Sequence, residues 1–257
     1  MLLLNNDAVL SQHGLKTLVE YAENFENVAG LQGVVLVPGT RLIDTAGDFV
    51  SELLQTHPLG QYREYPWILK SPIYVTYTDG SCSLYKVKAI SKCIDNKLFE
   101  EEFFGYGDDN VLGLMLWNCG YKLVAVPEAV ASHFRGLTFG KKSTFSSYLI
   151  DRNRAALSVI TNTRYKHVVL LHAARNAITS TLREGALSLA GLKMRALIDG
   201  LELGKRLRSR GLFIDIYRAP IIKIPPIDIP LFFTTRHKVA EYYESRIVSE
   251  LNKLAVE

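Results

Sequence analysis

The segment from Phe99 to His133 constrains the fold of this chain more than any other, because it joins a turn, a helix and a strand in one short unit. After the aromatic turn FFGYG, the carboxylate of Asp108 or Asp109 can cap a helix by accepting its free backbone N–H groups. The run VLGLMLWNC predicts a buried helix body, which Gly120 ends. YKLVAVP then predicts a strand closed by Pro127.

The rest of the first half alternates strand and helix signals in the same way. A helix is expected after Asp7, with Ser11 as its cap. The runs GVVLV and IYVTYT predict two strands, and residues 39–70 between them are interpreted as a long functional loop with at most short helical pieces. Residues 79–81, Asp-Gly-Ser, predict a turn. This alternation is typical of an α/β layer fold.

From residue 141 the pattern changes to long helices. Residues 143–162 and 165–210 are helical in pattern. An extended stretch with four prolines is predicted over residues 219–230, and a last amphipathic helix over about residues 236–254. We therefore divide the chain into a sheet-containing part, residues 1–140, and a helical, basic region, residues 141–257.

Charge is distributed unequally between the two halves. Residues 1–133 contain 9 Lys and Arg against 16 Asp and Glu, a net charge of −7, and residues 134–257 contain 21 against 10, a net charge of +11. An acidic half suits cation binding, and a basic half suits phosphates, nucleic acid or an anionic membrane face. Solvated helix faces would also account for much of the excess.

The cysteines and the apolar runs bear on the compartment. Cys82, Cys93 and Cys119 have neither zinc-site nor redox-pair spacing, so three reduced thiols are expected. No apolar run reaches the roughly 18 residues of a membrane-spanning helix, and the start MLLL is too short for a signal peptide. These features predict a cytoplasmic protein.

Three polar positions could carry chemistry at the ends of these elements. Asp7 and His133 each end a strand, and one carboxylate with one imidazole can hold a divalent cation that also takes phosphate oxygens. A separate carboxylate, Asp108 or Asp109, could act as general base towards a hydroxyl. Taken singly, each position has an ordinary alternative as a cap, a turn residue or a surface residue.

The order of these motifs resembles that of the family 2 glycosyltransferases with the GT-A fold, in particular the rhamnosyltransferase-like group. LLLNNDA is similar to the strand and metal-binding Asp-X-Asp motif of that family, and FFGYGDDNVLGLMLWNCGYKLVAVPEAVASH is similar to its FFxYxEDxDL, GYK, Pro-Glu-Ala and His series. Arg152-Asn153 matches an Arg-Asn pair on a later helix. The resemblance covers about residues 2–210.

The resemblance implies an inverting, metal-dependent transfer of a sugar from a nucleotide sugar to a lipid-linked or polysaccharide acceptor. It implies Mg²⁺ or Mn²⁺ as cofactor and the following roles: Asp7 and His133 as metal ligands, Asp109 as catalytic base with Asp108 beside it, and Asn5, Gly80, Ser81 and Arg152 as substrate-binding residues. The basic C-terminal region would lie near an anionic membrane face, peripheral on its inner side.

The chain also departs from the family pattern. Val111 and Met115 replace an Asp and an Arg on the helix, and Asp108 replaces a Glu. The resemblance further implies an N-terminally truncated GT-A domain, because the nucleotide-binding βαβ region would precede Met1. That half would come from a partner chain or from sequence upstream.

Two other functions remain open. One is a non-catalytic remnant or subunit that binds membrane, a partner protein or a polyanion through its basic helices. The other, nucleic-acid binding, is disfavoured because no recognition motif is present and the basic residues lack interleaved aromatics.

Overall fold

The computed structural model describes residues 1–94, 97–134, 143–184 and 187–256, and the side chains of residues 180–189 lie outside this description. It is a mixed α/β structure, a seven-stranded sheet with helices followed by a mostly helical C-terminal region. The strands are β1 (Leu2–Leu4), β2 (Ala8–Leu10), β3 (Val28–Leu36), β4 (Ile43–Thr45), β5 (Asp48–Val50), β6 (Thr56–Pro58), β7 (Ile73–Tyr74), β8 (Cys82–Tyr85) and β9 (Lys122–His133).

The sheet is built around β3. Its main order is β1-β8-β3-β9-β2, with β4 also paired to β3 and β7 paired to β9. β3 runs parallel to β9 and antiparallel to β8 and β4. Eight of the nine residues of β3 are buried, as expected for a continuous apolar strand in the middle of a sheet. The predicted buried strand around GVVLV is therefore confirmed.

Strand β9 is longer than the sequence pattern indicates. The prediction that it closes at Pro127 is wrong, because pairing continues to His133. The register with β3 shifts between Ala125 and Ala129, so Pro127 lies in a bulge where no ladder hydrogen bond from its nitrogen is required. This continuation places His133 beside β2, where it pairs with Ala8.

The segment 39–70 is not the loop with short helical pieces that the sequence predicts. It forms β4, β5 and β6, with β5 and β6 paired in a separate two-stranded sheet. Only Ile73 and Tyr74 of the predicted strand IYVTYT are regular strand. The following residues bond instead to the β5 region, because the N–H groups of Thr76 and Tyr77 both donate to Asp48 O.

The helices follow the predicted order. They are α1 (Gly14–Asn24), α2 (Val87–Cys93), α3 (Asp108–Asn118), α4 (Thr144–Ile160), α5 (Lys166–Glu184), α6 (Leu187–Ser209) and α7 (Arg236–Leu254). The predicted Ser11 cap is wrong, since His13 occupies the N-cap position of α1. Asp108 and Asp109 are the first two residues of α3 rather than its cap, which is Gly107.

The proline-rich stretch is only partly extended. Residues 219–225 lie outside regular helix, but Pro226–Phe233 form a 3-10 helix with Pro226 in its first turn. A proline is tolerated there because its missing N–H would have no helical partner. The prediction of an extended segment is therefore wrong for residues 226–230.

One large apolar core joins the sheet to the C-terminal helices. It includes Ile73 and Leu123 of the sheet, Leu114 of α3, Leu203 of α6 and Ile247 of α7. The predicted division between residues 140 and 141 lies outside the described residues. In the part of the chain that the structure describes, no helix is long and apolar enough to cross a membrane.

The prediction of three free thiols is wrong. Cys93 at the end of α2 and Cys119 at the end of α3 form a disulfide, and Cys82 is a buried free thiol. The pairing follows from the packing of α2 beside α3, which linear spacing does not reveal.

Candidate functional site

The turn before α3 has an unusual backbone. Phe104, Gly105, Tyr106 and Gly107 all have positive φ, at 60°, 133°, 58° and 120°. Phenylalanine and tyrosine rarely adopt this region, so the turn stores strain that the surrounding structure must hold. It leads directly into α3, whose first residue is Asp108.

Two neighbouring residues of α4 hold this turn. The Asn153 side-chain amide donates to the carbonyl oxygens of Phe103, Gly105 and Tyr106 at 3.0, 2.7 and 2.9 Å. Arg152 Nη2 donates to Phe103 O at 2.7 Å and also to the preceding carbonyl, and its Nε donates to Asn153 Oδ1 at 2.9 Å. The Arg-Asn pair therefore supports the backbone that carries the acidic pair.

The Asp109 carboxylate lies in a strongly perturbed environment. Burial, followed by the charges of Asp108 and Asp79, raises the pKa of Asp109 to about 8, although hydrogen bonds from the backbone of Asn110 and Gly80 act in the opposite direction. Burial also raises the pKa of Asp108. Part of the surface of Asp109 is exposed, so this residue combines a raised pKa with access to solvent. Such a carboxyl can exchange a proton near neutral pH.

The 79–81 turn faces Asp109 and joins it to the first strand. Gln32 Oε1 accepts from Asp79 N at 2.7 Å, and Asp79 Oδ1 accepts from Ser81 N at 2.8 Å, which fixes the turn on the central strand. Asn5 N donates to Ser81 O at 3.0 Å. A Cβ added to Gly80 would meet nothing within 4 Å, so open space lies beside it.

Asp7 and His133 are in direct contact at the edge formed by β2 and β9. Asp7 Oδ1 lies 3.1 Å from His133 Nε2, and Asp44 Oδ2 lies 3.1 Å from Nδ1 of the same ring. All three side chains are at least nine-tenths buried. Carboxylates on both ring nitrogens favour the imidazolium, in which both nitrogens donate.

The charges around His133 outweigh its burial. Burial alone lowers its pKa, but the hydrogen bond with Asp44 and the charges of Asp79, Asp44 and Asp7 together bring the pKa above its ordinary value. Asp79 thus acts on both His133 and Asp109. The pair Asp7–His133, in which Asp7 lies in the turn between β1 and β2, and the acidic start of α3 therefore share one electrostatic field.

Two residues at this edge could help to hold a divalent cation. Asp7 Oδ1 and His133 Nε2, 3.1 Å apart, would become ligands once the cation replaces the proton between them. Asp44 would hold the Nδ1 proton so that Nε2 presents its lone pair. Within the described ranges no three His, Cys, Asp or Glu side chains form a metal-holding group, so such a cation would need substrate oxygens and water.

The structure brings together most of the residues that the sequence singles out. Asn5 bonds to Ser81, Gly80 bonds to Asp109 next to Asp108, and Asp7 contacts His133. The charge of Asp79 acts on both Asp109 and His133 and so links the two groups. Arg152 does not join them directly, because its guanidinium is engaged by backbone carbonyls and lines a separate polar cavity of about 250 Å³. Val111 and Met115 pack in or against the apolar core.

Sequence reasoning missed Asp44 and Gln32 as parts of the site. Asp44 stands in a segment interpreted as a loop, and no local pattern indicates that it lies behind His133. Gln32 directly precedes the run GVVLV. A polar residue next to an apolar strand was the signal that could have identified it. The sequence pattern indicates only a turn at Asp79, although a carboxylate between two strand segments can also mark a site.

No protein-family model matches the chain, and a search of curated proteins finds no significant relative.

Proposed function

We propose that this chain is the catalytic part of a metal-dependent, inverting glycosyltransferase of GT-A type. It would move a sugar from a nucleotide sugar to a lipid-linked or polysaccharide acceptor. The observation that carries the proposal is the contact of Asp7 with His133 close to Asp79, whose charge also acts on the perturbed Asp109.

Asp109 and the pair Asp7–His133 would have different roles in a sugar transfer. Asp109 in its ionised form accepts the proton of an acceptor hydroxyl as the hydroxyl oxygen attacks the anomeric carbon. A pKa raised to about 8 gives this carboxylate a high proton affinity at the pH where it works. One displacement from the face opposite the leaving group inverts the configuration.

The pair Asp7–His133 suits the leaving diphosphate. Asp7 and His133 would hold Mg²⁺ or Mn²⁺, which when bound supplies positive charge to the diphosphate oxygens. Asp44 keeps the His133 ring in position, and the Gly80–Ser81 turn leaves open space for the donor sugar. Asn5 is fixed beside this turn by its backbone bond to Ser81.

Donor binding and turnover test the proposal. Purified protein with Mn²⁺ is titrated calorimetrically with UDP-, GDP- and dTDP-sugars, and release of the nucleoside diphosphate is followed with and without oligosaccharide acceptors. Asp109→Asn should abolish transfer while leaving donor affinity within about twofold. Glu101→Gln, an exposed acid just before the same turn, is the matched control and should retain full turnover.

Two results would count against this function. Absence of both binding and hydrolysis for every donor would reject it for this chain and favour a non-catalytic subunit. Retained turnover in Asp109→Asn would remove that residue as the base.

A further inference from the structure

The outward face of α5 carries apolar side chains on both sides of an arginine. Leu171 and Ile178 are 62% and 59% exposed, and Arg175 is exposed between them. The spacing i, i+4 and i+7 places the three residues on one side of the helix. Val169 and Ala177 on the opposite side are buried. The exposed side chains thus form a face, apolar at both ends, that stays open to solvent among the residues that the structure describes.

Two arginines lie around a histidine and a phenylalanine next to this face. Arg154 Nη1 lies 3.4 Å from His172 Nδ1. The Arg175 guanidinium stands 5.4 Å from the centroid of the Phe233 ring, and that ring is 5.7 Å from the His172 ring. A cationic group over an aromatic ring keeps a defined position while its donors remain available.

A third arginine adds to the same positive field. Burial and the charges of Arg154, Arg175 and Arg236 lower the pKa of His172 to about 4, which keeps its ring neutral. Asp151 lies in the same field, but burial raises the pKa of its carboxyl despite the cations nearby. Arg154, Arg175 and Arg236 thus bring several positive charges to this region, beside the partly buried Asp151 carboxyl.

The outer two of these arginines, Arg175 and Arg236, are exposed to solvent. Among the described residues, neither Arg175 nor Arg236 forms an ion pair. Arg236 is the first residue of α7, a 19-residue helix whose N-cap, Thr235, makes no side-chain cap bond. The free N–H groups of such a helix start favour an anion as well.

We propose that Leu171, Arg175 and Ile178 of α5, together with Arg236 at the start of α7, form a docking face for an anionic lipid bilayer. Arg175 and Arg236 would contact lipid phosphates, and Leu171 and Ile178 would enter the boundary between headgroups and acyl chains. A free phosphate ion would use the guanidinium groups alone. The apolar flanks favour lipid as the source of the phosphate.

Vesicle binding tests the face without any sugar donor or metal. Flotation of the full chain is measured with phosphatidylglycerol–phosphatidylcholine vesicles and with phosphatidylcholine vesicles at low salt. Arg175→Gln with Arg236→Gln should lower partitioning into the anionic vesicles about 30-fold. Leu171→Ser with Ile178→Ser should lower it at least about tenfold.

A matched control comes from α1. Leu15 is 45% exposed, and Lys16 beside it is an exposed cation, so Leu15→Ser with Lys16→Gln removes similar groups at another place. This variant should bind anionic vesicles as the unchanged chain does. Urea unfolding of every variant establishes that its fold is intact.

Three outcomes would overturn the proposal: no binding to anionic vesicles, equal binding to both vesicle types, or an equal loss in the α1 control. Competition by millimolar inorganic phosphate with no effect of the apolar pair would also overturn it, because that result indicates a free-phosphate site. Lipid binding and donor binding are separate measurements, so failure of either leaves the other standing.

Discussion

Asp44 Oδ2 lies 3.1 Å from His133 Nδ1, on the side of the ring opposite Asp7. A carboxylate in this position fixes the orientation of the ring and strengthens the other nitrogen as a ligand. Asp44→Asn should therefore weaken Mn²⁺ binding about 10- to 100-fold, measured by calorimetry or by the electron paramagnetic resonance signal of free Mn²⁺. Asp215→Asn, a carboxylate outside this region, should not change the affinity. Unchanged affinity in Asp44→Asn would remove Asp44 from the metal site.

The raised pKa of Asp109 predicts how activity depends on pH. The base must be ionised, so kcat/KM should rise with pH and level off above about 8, the pKa of Asp109. The measurement is initial transfer rate against pH at saturating metal. A profile that is flat between pH 6 and 9 would contradict the assignment.

The raised pKa of Asp109 also predicts that stability changes with pH in the direction opposite to activity. A carboxyl whose pKa is raised by folding stabilises the protein fully below its unfolded value near 4, and this contribution is lost as pH rises through about 8. Asp109→Asn should therefore raise the free energy of unfolding at pH 9 by roughly 2 to 4 kcal/mol, since partial solvent access reduces the full effect. Urea unfolding at pH 4 and pH 9 would show the gain only at the higher pH.

The Cys93–Cys119 disulfide should stabilise the pairing of α2 with α3. Cys93→Ser with Cys119→Ser should lower the free energy of unfolding by about 3 kcal/mol, because the disulfide reduces the number of conformations that the unfolded chain can adopt. Thermal unfolding with and without dithiothreitol checks this. The reductant should lower the melting temperature of the unchanged chain and leave that of the double variant alone.

Glu52 connects the β5 region to the C-terminal half. Its buried carboxylate accepts from Arg164 Nη2 at 2.9 Å, Tyr217 OH at 3.0 Å and Ile224 N at 2.7 Å. Glu52→Ala removes this shared acceptor and should lower the free energy of unfolding, measured with urea, by about 2 to 4 kcal/mol.

The control for Glu52 is an exposed ion pair. Glu64 lies 3.8 Å from Arg41 and both side chains are largely exposed. Glu64→Ala should change the free energy of unfolding by less than about 0.5 kcal/mol. Equal effects of the two substitutions would show that the Glu52 network does not stabilise the fold.

The sequence by itself determined the elements whose signals are local. Helical spacing of apolar residues placed α1 and α7, because that pattern records which side of a helix meets the core. Continuous apolar runs placed β3 and, between an acidic start and Gly120, α3. The acidic pair and the terminal histidine were visible in the sequence because they stand beside such elements.

Only the tertiary structure decided which of these residues meet. Asp44 and His133 are 89 positions apart, Cys93 and Cys119 are 26 apart, and each pair forms only when separate elements pack side by side. The continuation of β9 past Pro127 depends on a bulge against β3, which no local pattern records. Contacts between distant segments are set by packing of the whole chain, and packing determines the neighbours, burial and pKa of every group at the candidate site.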